Sequence, residues 1–361
     1  MKKMNVLQLI DSLNVGGAEV MAVNIHNLLC EDENINSYIC ATRKEGNLRS
    51  KINNNNTYFF LNKKSVVDIK AIVKLLTFIK QNKIKIVHAH SSSYFTAFCA
   101  KFCMSTLKII WHDHYGLSDE LVNRRKQPLK FISKYFSYSI FVNQSLLEWA
   151  KWNLRVKKII FLPNFGRFEL RKGITILKGL PEKRIIKLAA FRAQKDHLNV
   201  LKSFYLISKT YKEWTLHLVG GHLNDAYFAE IKKFIKEKEL INKVFFYGVC
   251  LDVQYLLSQA TIGVLSSKSE GLPISLLEYG LAKIPVVVTN VGYCSKVVDN
   301  NLSGFVVEKE DSVELANAIA KLIDSKKKRL SFGHKLYEEV STNYSEKKFI
   351  ENLLKIYKSI I

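Results

Sequence analysis

The chain has 361 residues, of which 48% are hydrophobic and 24% charged, so it is long enough for two globular domains with cores of their own. Its six cysteines have the spacing neither of a zinc module nor of a secreted disulfide scaffold, which favours a reducing compartment. The formal net charge of +23 indicates a polyanionic neighbour such as anionic lipid, a diphosphate or nucleic acid.

We expect neither a secretory signal nor a membrane-spanning segment. The N-terminal apolar run is broken by Gln8 and ended by Asp11, and it is too short for the apolar core of a signal peptide. Elsewhere we find no apolar stretch with the length that a bilayer requires. These features predict a cytoplasmic protein.

Strand and helix patterns alternate through the first half of the chain. Residues 5–11 predict a strand, and Gly16 and Gly17 lie in the turn that leads into a helix, where they either let the backbone approach a ligand or simply allow tight packing. The alternation predicts a doubly wound parallel sheet, which binds ligands at the C-terminal ends of its strands. The further predicted strands are 37–41, 58–61, 85–89, 108–111 and 139–142, and one clear helical pattern is 66–80.

Two neighbouring strands of this half end in histidines. His88 and His90 close one strand, and His112 and His114 follow the next. We do not expect a metal site here, on the interpretation that a His-x-His pair directs its rings to alternate sides of the strand and that nothing fixes a third ligand. Their position at strand ends, where open α/β sheets bind ligands, favours a binding role.

A basic segment, 123–136, follows the histidines. Pro128 can open a helix, and the cations are interleaved with aromatic and aliphatic residues, which suits an interfacial element on anionic lipid. An ordinary amphipathic helix with solvated lysines is the alternative. The cations are Arg124, Arg125, Lys126, Lys130 and Lys134.

Composition and periodicity predict the domain boundaries. A first domain over 1–165 ends in a strand at 157–164, and the segment 166–183, which lacks clear periodicity, is the expected linker. A second domain follows over 184–343. The tail, 344–361, carries apolar residues on one helical face.

The second domain begins with a strand at 184–191, and Arg192 and Lys195 follow it at once. Two cations directly after a strand predict a clamp for a diphosphate, because arginine binds it as a fork and lysine as a point charge. Further predicted elements are strands at 215–221, which ends in Gly221, and at 244–248, a helix at 252–259, and strands at 284–290 and 304–307.

One stretch, 261–280, carries the most specific pattern of the chain. A strand over 261–265 leads into a loop with Glu270, and Pro273 suits the first position of a helix that contains Glu278. The free N–H groups at such a helix start bind phosphate, and carboxylates beside them are useful for binding hydroxyls. We therefore expect a sugar at Glu270 and a ribose at Glu278, which implies a nucleotide sugar; two solvated glutamates flanking an ordinary helix are the alternative.

This stretch resembles the E-x7-E signature of the family-4 retaining glycosyltransferases. The resemblance implies the GT-B fold, in which two Rossmann-like domains with doubly wound parallel sheets face a central cleft. It also implies a donor site that includes five of the seven residues between the two glutamates. Those five are Gly271, Leu272, Pro273, Ile274 and Ser275.

The resemblance assigns further residues. In this family the loop with Gly16 and Gly17 faces the donor phosphates and sugar, and one histidine lies near the sugar, for which the strand register favours His114 over His112. The family usually has a Gly-Arg pair where this chain has alanines at 189 and 190. Arg192 then replaces that arginine, whereas Lys195 matches the family pattern directly. Gly221 is expected to line the nucleotide pocket, and the tail helix to cross back to the first domain.

The implied activity is transfer of a sugar, with retention of configuration, from a nucleotide-diphosphate sugar, most commonly a UDP-sugar, to a glycan or polyprenyl-diphosphate-linked acceptor. This points to bacterial surface polysaccharide synthesis at the inner face of the plasma membrane, without a cofactor or metal and without nucleic acid. One alternative is a GT-B nucleotide-sugar epimerase, which needs no acceptor. A basic nucleic-acid-binding protein is another, supported by charge alone.

Overall fold

The computed structural model describes residues 3–170 and 172–361, in which parallel strands alternate with helices. The strands are β1 Met4–Ser12, β2 Ile35–Lys44, β3 Tyr58–Phe60, β4 Ile86–His90, β5 Lys108–Asp113, β6 Tyr138–Phe141, β7 Ile159–Phe161, β8 Arg184–Leu188, β9 Thr215–Val219, β10 Val244–Gly248, β11 Ile262–Leu265, β12 Val286–Thr289 and β13 Gly304–Val307. The helices are α1 Gly17–Cys30, α2 Ile69–Gln81, α3 Tyr94–Cys103, α4 Leu129–Ile132, α5 Gln144–Asn153, α6 His197–Thr210, α7 Ala226–Glu237, α8 Val253–Leu257, α9 Ile274–Leu281, α10 Cys294–Val297, α11 Ser312–Ile323, α12 Lys326–Asn343 and α13 Glu346–Lys358.

The strands form two parallel sheets. The first has the order β3-β2-β1-β4-β5-β6-β7 and the second β10-β9-β8-β11-β12-β13. In each sheet the chain adds strands to one side of its first strand and then crosses to the other side. The order therefore reverses between β1 and β4 in the first sheet and between β8 and β11 in the second, and open α/β sheets bind ligands at such reversals.

Apart from the edge strand β10, the strands of the second sheet are largely buried on both faces. Ile185 packs into one core cluster and the next residue, Ile186, into the other, because successive side chains of a strand point to opposite faces. Val286, Val287 and Val288 divide between the two clusters in the same way. This explains the continuous apolar runs of these strands and confirms the predicted class of two Rossmann-like parallel-sheet domains.

The chain divides into two compact units. The first unit runs up to Asn164 and takes in Glu346–Ile361, so α13 belongs to it; the second is Phe165–Ser345. Residues 166–183, which we expected to form a linker, therefore lie within the second unit. The backbone N–H groups of Ile174 and Thr175 both donate to Asp252 Oδ2, at 2.9 and 2.8 Å. The described residues of this segment form neither helix nor strand, and hydrogen bonds of this kind attach it to the second unit.

Some elements differ from the sequence prediction. The helix expected from Pro128 is only the short α4, followed by a 3-10 turn at Ser133–Tyr135. Five longer helices, α3, α5, α7, α11 and α12, had no individual prediction. In the described ranges no helix has both the length and the apolar composition needed to cross a bilayer.

Candidate functional site

Most of the predicted donor-site residues lie at the strand-order reversal of the second sheet. The loop after β8 carries Arg192 and Lys195, and the loop after the neighbouring β11 carries Glu270. The two loops are hydrogen-bonded to each other through Gln194, whose backbone oxygen accepts from Lys268 N and whose Nε2 donates to Ser269 O, both at 2.8 Å. The sheet topology thus brings together residues that are about 75 positions apart in the sequence.

Glu270 and Lys195 form the ion pair at the centre of this edge. The carboxylate is buried, at 3% exposure, and Lys195 Nζ lies 2.7 Å from each of its oxygens. Ser267 Oγ donates to Glu270 Oε1 at 2.7 Å. A buried charge is tolerated when it is paired and hydrogen-bonded, and these contacts fix both side chains in position. Ser267 has no distinctive sequence signal, and the sequence analysis missed it.

Arg192 is exposed at the start of a 3-10 turn, Ala193–Lys195. In the described part of the chain no acceptor or aromatic ring contacts its guanidinium group. The N–H donors of that group thus remain available to a ligand, beside the paired cation of Lys195. The geometry suits an anion with several oxygens.

Helix α9 begins directly after the Glu270 loop. Pro273 occupies its N-cap position, one residue before the first helical residue, Ile274, and no side chain caps the helix. The N–H groups of Ile274 and of the half-buried Ser275 therefore face the loop without a side-chain acceptor, which is the usual arrangement at an anion-binding helix start. The buried residues Gly271 and Leu272 lead into this turn.

Glu278 lies one turn inside α9 and is half-buried. No group in the described residues donates a hydrogen bond to its carboxyl, and burial raises its pKa to about 8. A buried carboxyl without donors is unfavourable in the ionised form. Ligand hydroxyls would supply the donors that the protein does not.

Two glycines support this edge. Gly292 has φ +53°, and a Cβ there would lie 2.0 Å from Glu270 O, so only glycine lets the chain pass under the Glu270 loop. Gly220, with φ +157°, would place a Cβ 2.0 Å from Ala189 O. Gly221, the predicted pocket residue, has no such requirement, because its Cβ would meet only Val249 Cγ2 at 3.0 Å. Each glycine ends or follows a strand, so the sequence alone could not show which of them must be glycine.

Four histidine rings stack on one face of the first sheet. The ring centroids of His88 and His90 are 4.5 Å apart and those of His112 and His114 4.0 Å apart, so the expectation that a His-x-His pair points to alternate sides is wrong. Residues two positions apart in a strand share a face. Nitrogens of His88, His90 and His112 lie within 4.8 Å of one another and could hold a metal ion. The ring plane of His88 is inclined by only 21° to that of His90 and by 14° to that of His112. Lone pairs in nearly parallel ring planes do not converge on one metal position.

A hydrogen-bond network sets the tautomer of His114. Gln8 Nε2 donates to the Tyr357 hydroxyl of α13 at 3.2 Å, which leaves Gln8 Oε1 to accept from His90 Nε2 at 2.9 Å. His90 Nδ1 then accepts from His114 Nε2 at 3.1 Å. The Nδ1 atom of His114 carries the lone pair and has no partner among the described residues. Burial lowers the pKa of His114 to about 3, so the ring is neutral at pH 7.

The basic segment 123–136 is not the continuous charged surface that the sequence predicts. Arg124 is buried at 8% exposure and donates to both oxygens of Asp113, at 2.6 and 2.9 Å. Its guanidinium also stacks over the rings of Tyr115 and Trp149, each 4.3 Å away. The remaining four cations reach the surface to different extents: Arg125 and Lys126 are exposed, and Lys130 and Lys134 half-buried.

Gly16 and Gly17 lie where α1 begins. Gly16 is the N-cap residue in an extended conformation, φ −162°, and no side chain caps the helix. A Cβ at Gly16 would meet only the carboxyl end of the Glu19 side chain and no backbone atom, and the backbone conformation is one that any residue adopts. This helix start resembles that of α9 in having no side-chain cap.

Comparison with known families matches both halves of the chain. Residues 15–165 match the model described as Glycosyltransferase Family 4, and residues 175–339 match the model described as Glycosyl transferases group 1. The matched ranges include the Glu270–Glu278 stretch, Lys195 and the histidine cluster.

Individual relatives agree with these models. The chain is 26% identical over 363 residues to the O-antigen biosynthesis glycosyltransferase WbnH of Escherichia coli, with 99% of each chain covered. It is 23% identical over 299 residues, 72% of each chain, to the UDP-Gal:alpha-D-GlcNAc-diphosphoundecaprenol alpha-1,3-galactosyltransferase of Escherichia coli. The solved structure of Anabaena Alr3699/HepE in complex with UDP and glucose has a TM-score of 0.81 at 16% identity, covering 99% of this chain and 100% of that one.

The raised pKa of Glu278 predicts a pH-dependent stability. Between pH 4.5 and about 8 the folded protein holds a proton that the unfolded chain releases, so this residue makes the folded state less stable as the pH rises through that window. Glu278→Gln keeps the shape of the side chain but removes its ionisable group. We expect the Tm of wild type to fall relative to that of Glu278→Gln from pH 5 to 9, measured by thermal unfolding without ligand. The exposed Glu237→Gln is the control, and parallel curves for wild type and Glu278→Gln would contradict the prediction.

Proposed function

The chain belongs to the family-4-type glycosyltransferases with the GT-B fold, and from this membership we propose that it transfers a sugar from a UDP-sugar to a lipid-linked glycan with retention of configuration. The observation that carries the proposal is the edge of the second sheet, where the Lys195–Glu270 pair, the uncapped start of α9 and the partnerless carboxyl of Glu278 follow one another. The names of the relatives support the choice of donor and acceptor, since one is named for UDP-Gal and a diphosphoundecaprenol acceptor.

The donor binds across this edge in our proposal. Glu278 accepts hydrogen bonds from the ribose hydroxyls, which stabilise its ionised form. Arg192, Lys195 and the N–H groups at Ile274 and Ser275 bind the diphosphate, while Gly271, Leu272 and Pro273 shape the turn beneath it. Glu270 is left for the hydroxyls of the sugar.

Transfer requires stabilisation of the departing diphosphate and of positive charge on the sugar ring. The cations and the α9 helix start bind the negative charge that develops on the leaving group, and fixed groups of this kind need little rearrangement during the reaction. The Glu270 carboxylate, held by Lys195 and Ser267, stabilises an oxocarbenium-like sugar electrostatically and orients its hydroxyls. For His114, whose ring is neutral with a lone pair on Nδ1, the family resemblance implies a contact with the sugar.

We further propose that the first unit contacts an anionic membrane, where a polyprenyl-linked acceptor would be found. The burial of Arg124 removes one of the five cations of the predicted basic surface. An apolar and basic surface instead lies around the start of α2, where Val66, Val67, Ile69 and Val73 are 57–74% exposed. Their neighbours Lys64, Lys70 and Lys74 are exposed as well. Exposed aliphatic residues among lysines suit the interface of an anionic bilayer.

Alanine substitutions of the two glutamates are expected to change different kinetic parameters. Glu278→Ala should raise the donor KM about 10- to 100-fold, because it removes acceptors for a remote ribose. Glu270→Ala should chiefly lower kcat, by about 100-fold or more, because it acts on the reacting sugar. Steady-state transfer kinetics with a UDP-sugar and a lipid-linked acceptor measure both, with Glu237→Ala as the surface control. Wild-type values in both variants would remove the donor site from this edge.

Transfer should not require a divalent metal. Arg192, Lys195 and the α9 helix start supply the positive potential that binds the diphosphate. We expect the same initial rate with EDTA as with added Mn²⁺ or Mg²⁺. Loss of activity in EDTA that Mn²⁺ restores would show that a metal shares this role.

The α2 surface should determine membrane binding. Sedimentation with vesicles containing anionic lipid should bring down wild type, and Ile69→Ser with Val73→Ser, or Lys70→Gln with Lys74→Gln, should reduce the bound fraction several-fold. Added salt should weaken wild-type binding. Leu330→Ser in α12, an exposed leucine of the second unit, is the matched control. Equal sedimentation of all variants, or equal binding to neutral vesicles, would contradict the proposal.

A further inference from the structure

A lysine is completely buried beneath the Lys195–Glu270 pair. Lys187 lies near the end of β8, in the run Arg184–Leu188, and has 0% exposure. Its Nζ donates to Ser266 Oγ at 2.8 Å, and Ser266 Oγ donates in turn to Asp196 O at 2.7 Å. Lys187 pairs with no carboxylate among the described residues, which is unusual because buried lysines are almost always paired.

Several charged or titratable groups surround this amine. Burial, and then the neighbouring cation of Lys195, lower the pKa of Lys187 to about 7, while the carboxylates of Glu270 and Asp196 act in the opposite direction. His197, at the start of α6, stays neutral because burial and the charge of Lys187 lower its pKa well below the usual value. Above pH 7 the free protein therefore holds Lys187 largely uncharged.

The burial of Lys187 lowers the stability of the folded protein, which favours a functional role. An amine that has lost its hydration for a single hydrogen bond makes the fold less stable, and methionine would fill a similar volume without that penalty. Residues that lower stability while lying beside a ligand site are commonly kept for function. Ser266 also joins Lys187 to the loop that carries Lys195.

We propose that Lys187 is a positioning residue of the donor site that takes up a proton from the solvent when a diphosphate binds, so that a second buried cation forms beneath Lys195. This inference rests on the proposed function. A diphosphate at Lys195 adds negative charge that offsets the repulsion between the two lysines and stabilises the ammonium form of Lys187. The new cation attracts the carboxylate of Glu270 and adds to the positive potential that Lys195 presents to the diphosphate during transfer.

Proton uptake upon binding is directly measurable. Titration calorimetry of the full chain with UDP, in buffers of different ionisation enthalpy at pH 8, should give an uptake about one proton larger for wild type than for Lys187→Met. Inorganic pyrophosphate, which lacks the ribose and therefore does not engage Glu278, should show the same difference. The affinity for pyrophosphate, which is free of the Glu278 titration, should fall by up to about tenfold per pH unit between pH 7 and 9 in wild type relative to Lys187→Met.

The controls separate this role from a structural one. Lys187→Met should keep or raise the Tm while weakening UDP binding at pH 7, whereas a merely structural lysine would lower the Tm and leave the pH profile unchanged. Lys187→Arg, which stays charged, should bind UDP without the uptake, and the exposed Lys236→Met should behave as wild type. Binding of UDP with equal proton uptake in wild type and Lys187→Met would overturn this inference alone; absence of UDP and pyrophosphate binding would overturn the proposed function as well.

Discussion

The hydrogen bonds that join the loop after β8 to the loop after β11 are the constraint on which the second unit depends. They fix Lys195 against Glu270 at 2.7 Å, and Gly292 passes beneath at a distance that only glycine allows. Because β8 and β11 are neighbours at the strand-order reversal, the topology alone brings the two loops together. The pair is thus formed before any ligand arrives, and binding does not have to order it.

Two groups near this pair are held in a form that a ligand would change. Burial raises the pKa of Glu278, and burial near the cation of Lys195 lowers the pKa of Lys187. Ribose hydroxyls favour the carboxylate form of the first, and a diphosphate favours the ammonium form of the second. A nucleoside diphosphate supplies both the ribose hydroxyls and the diphosphate. One ligand would therefore stabilise the charged forms of both Glu278 and Lys187.

Much of the site could be predicted because it follows from local sequence. Strands of β-branched residues, a proline at a helix start and the spacing of Glu270 and Glu278 are local signals, and the resemblance placed Lys195. Long-range contacts could not be predicted in this way. In the sequence Arg124 is one of five apparent surface cations, but in the fold it is buried against Asp113. Residues 166–183 have the pattern of a linker, because their hydrogen bonds go to side chains that are distant in sequence, such as Asp252. Lys187 had one overlooked signal, a lysine inside an apolar strand.

The proposed donor site is tested most directly by an experimental structure of the protein with UDP bound. We expect the ribose hydroxyls to lie within hydrogen-bond distance of the Glu278 carboxylate, and the diphosphate to contact Arg192, Lys195 and the N–H groups at the start of α9. A nucleotide bound elsewhere, with Glu278 unengaged and the α9 helix start empty, would contradict this expectation.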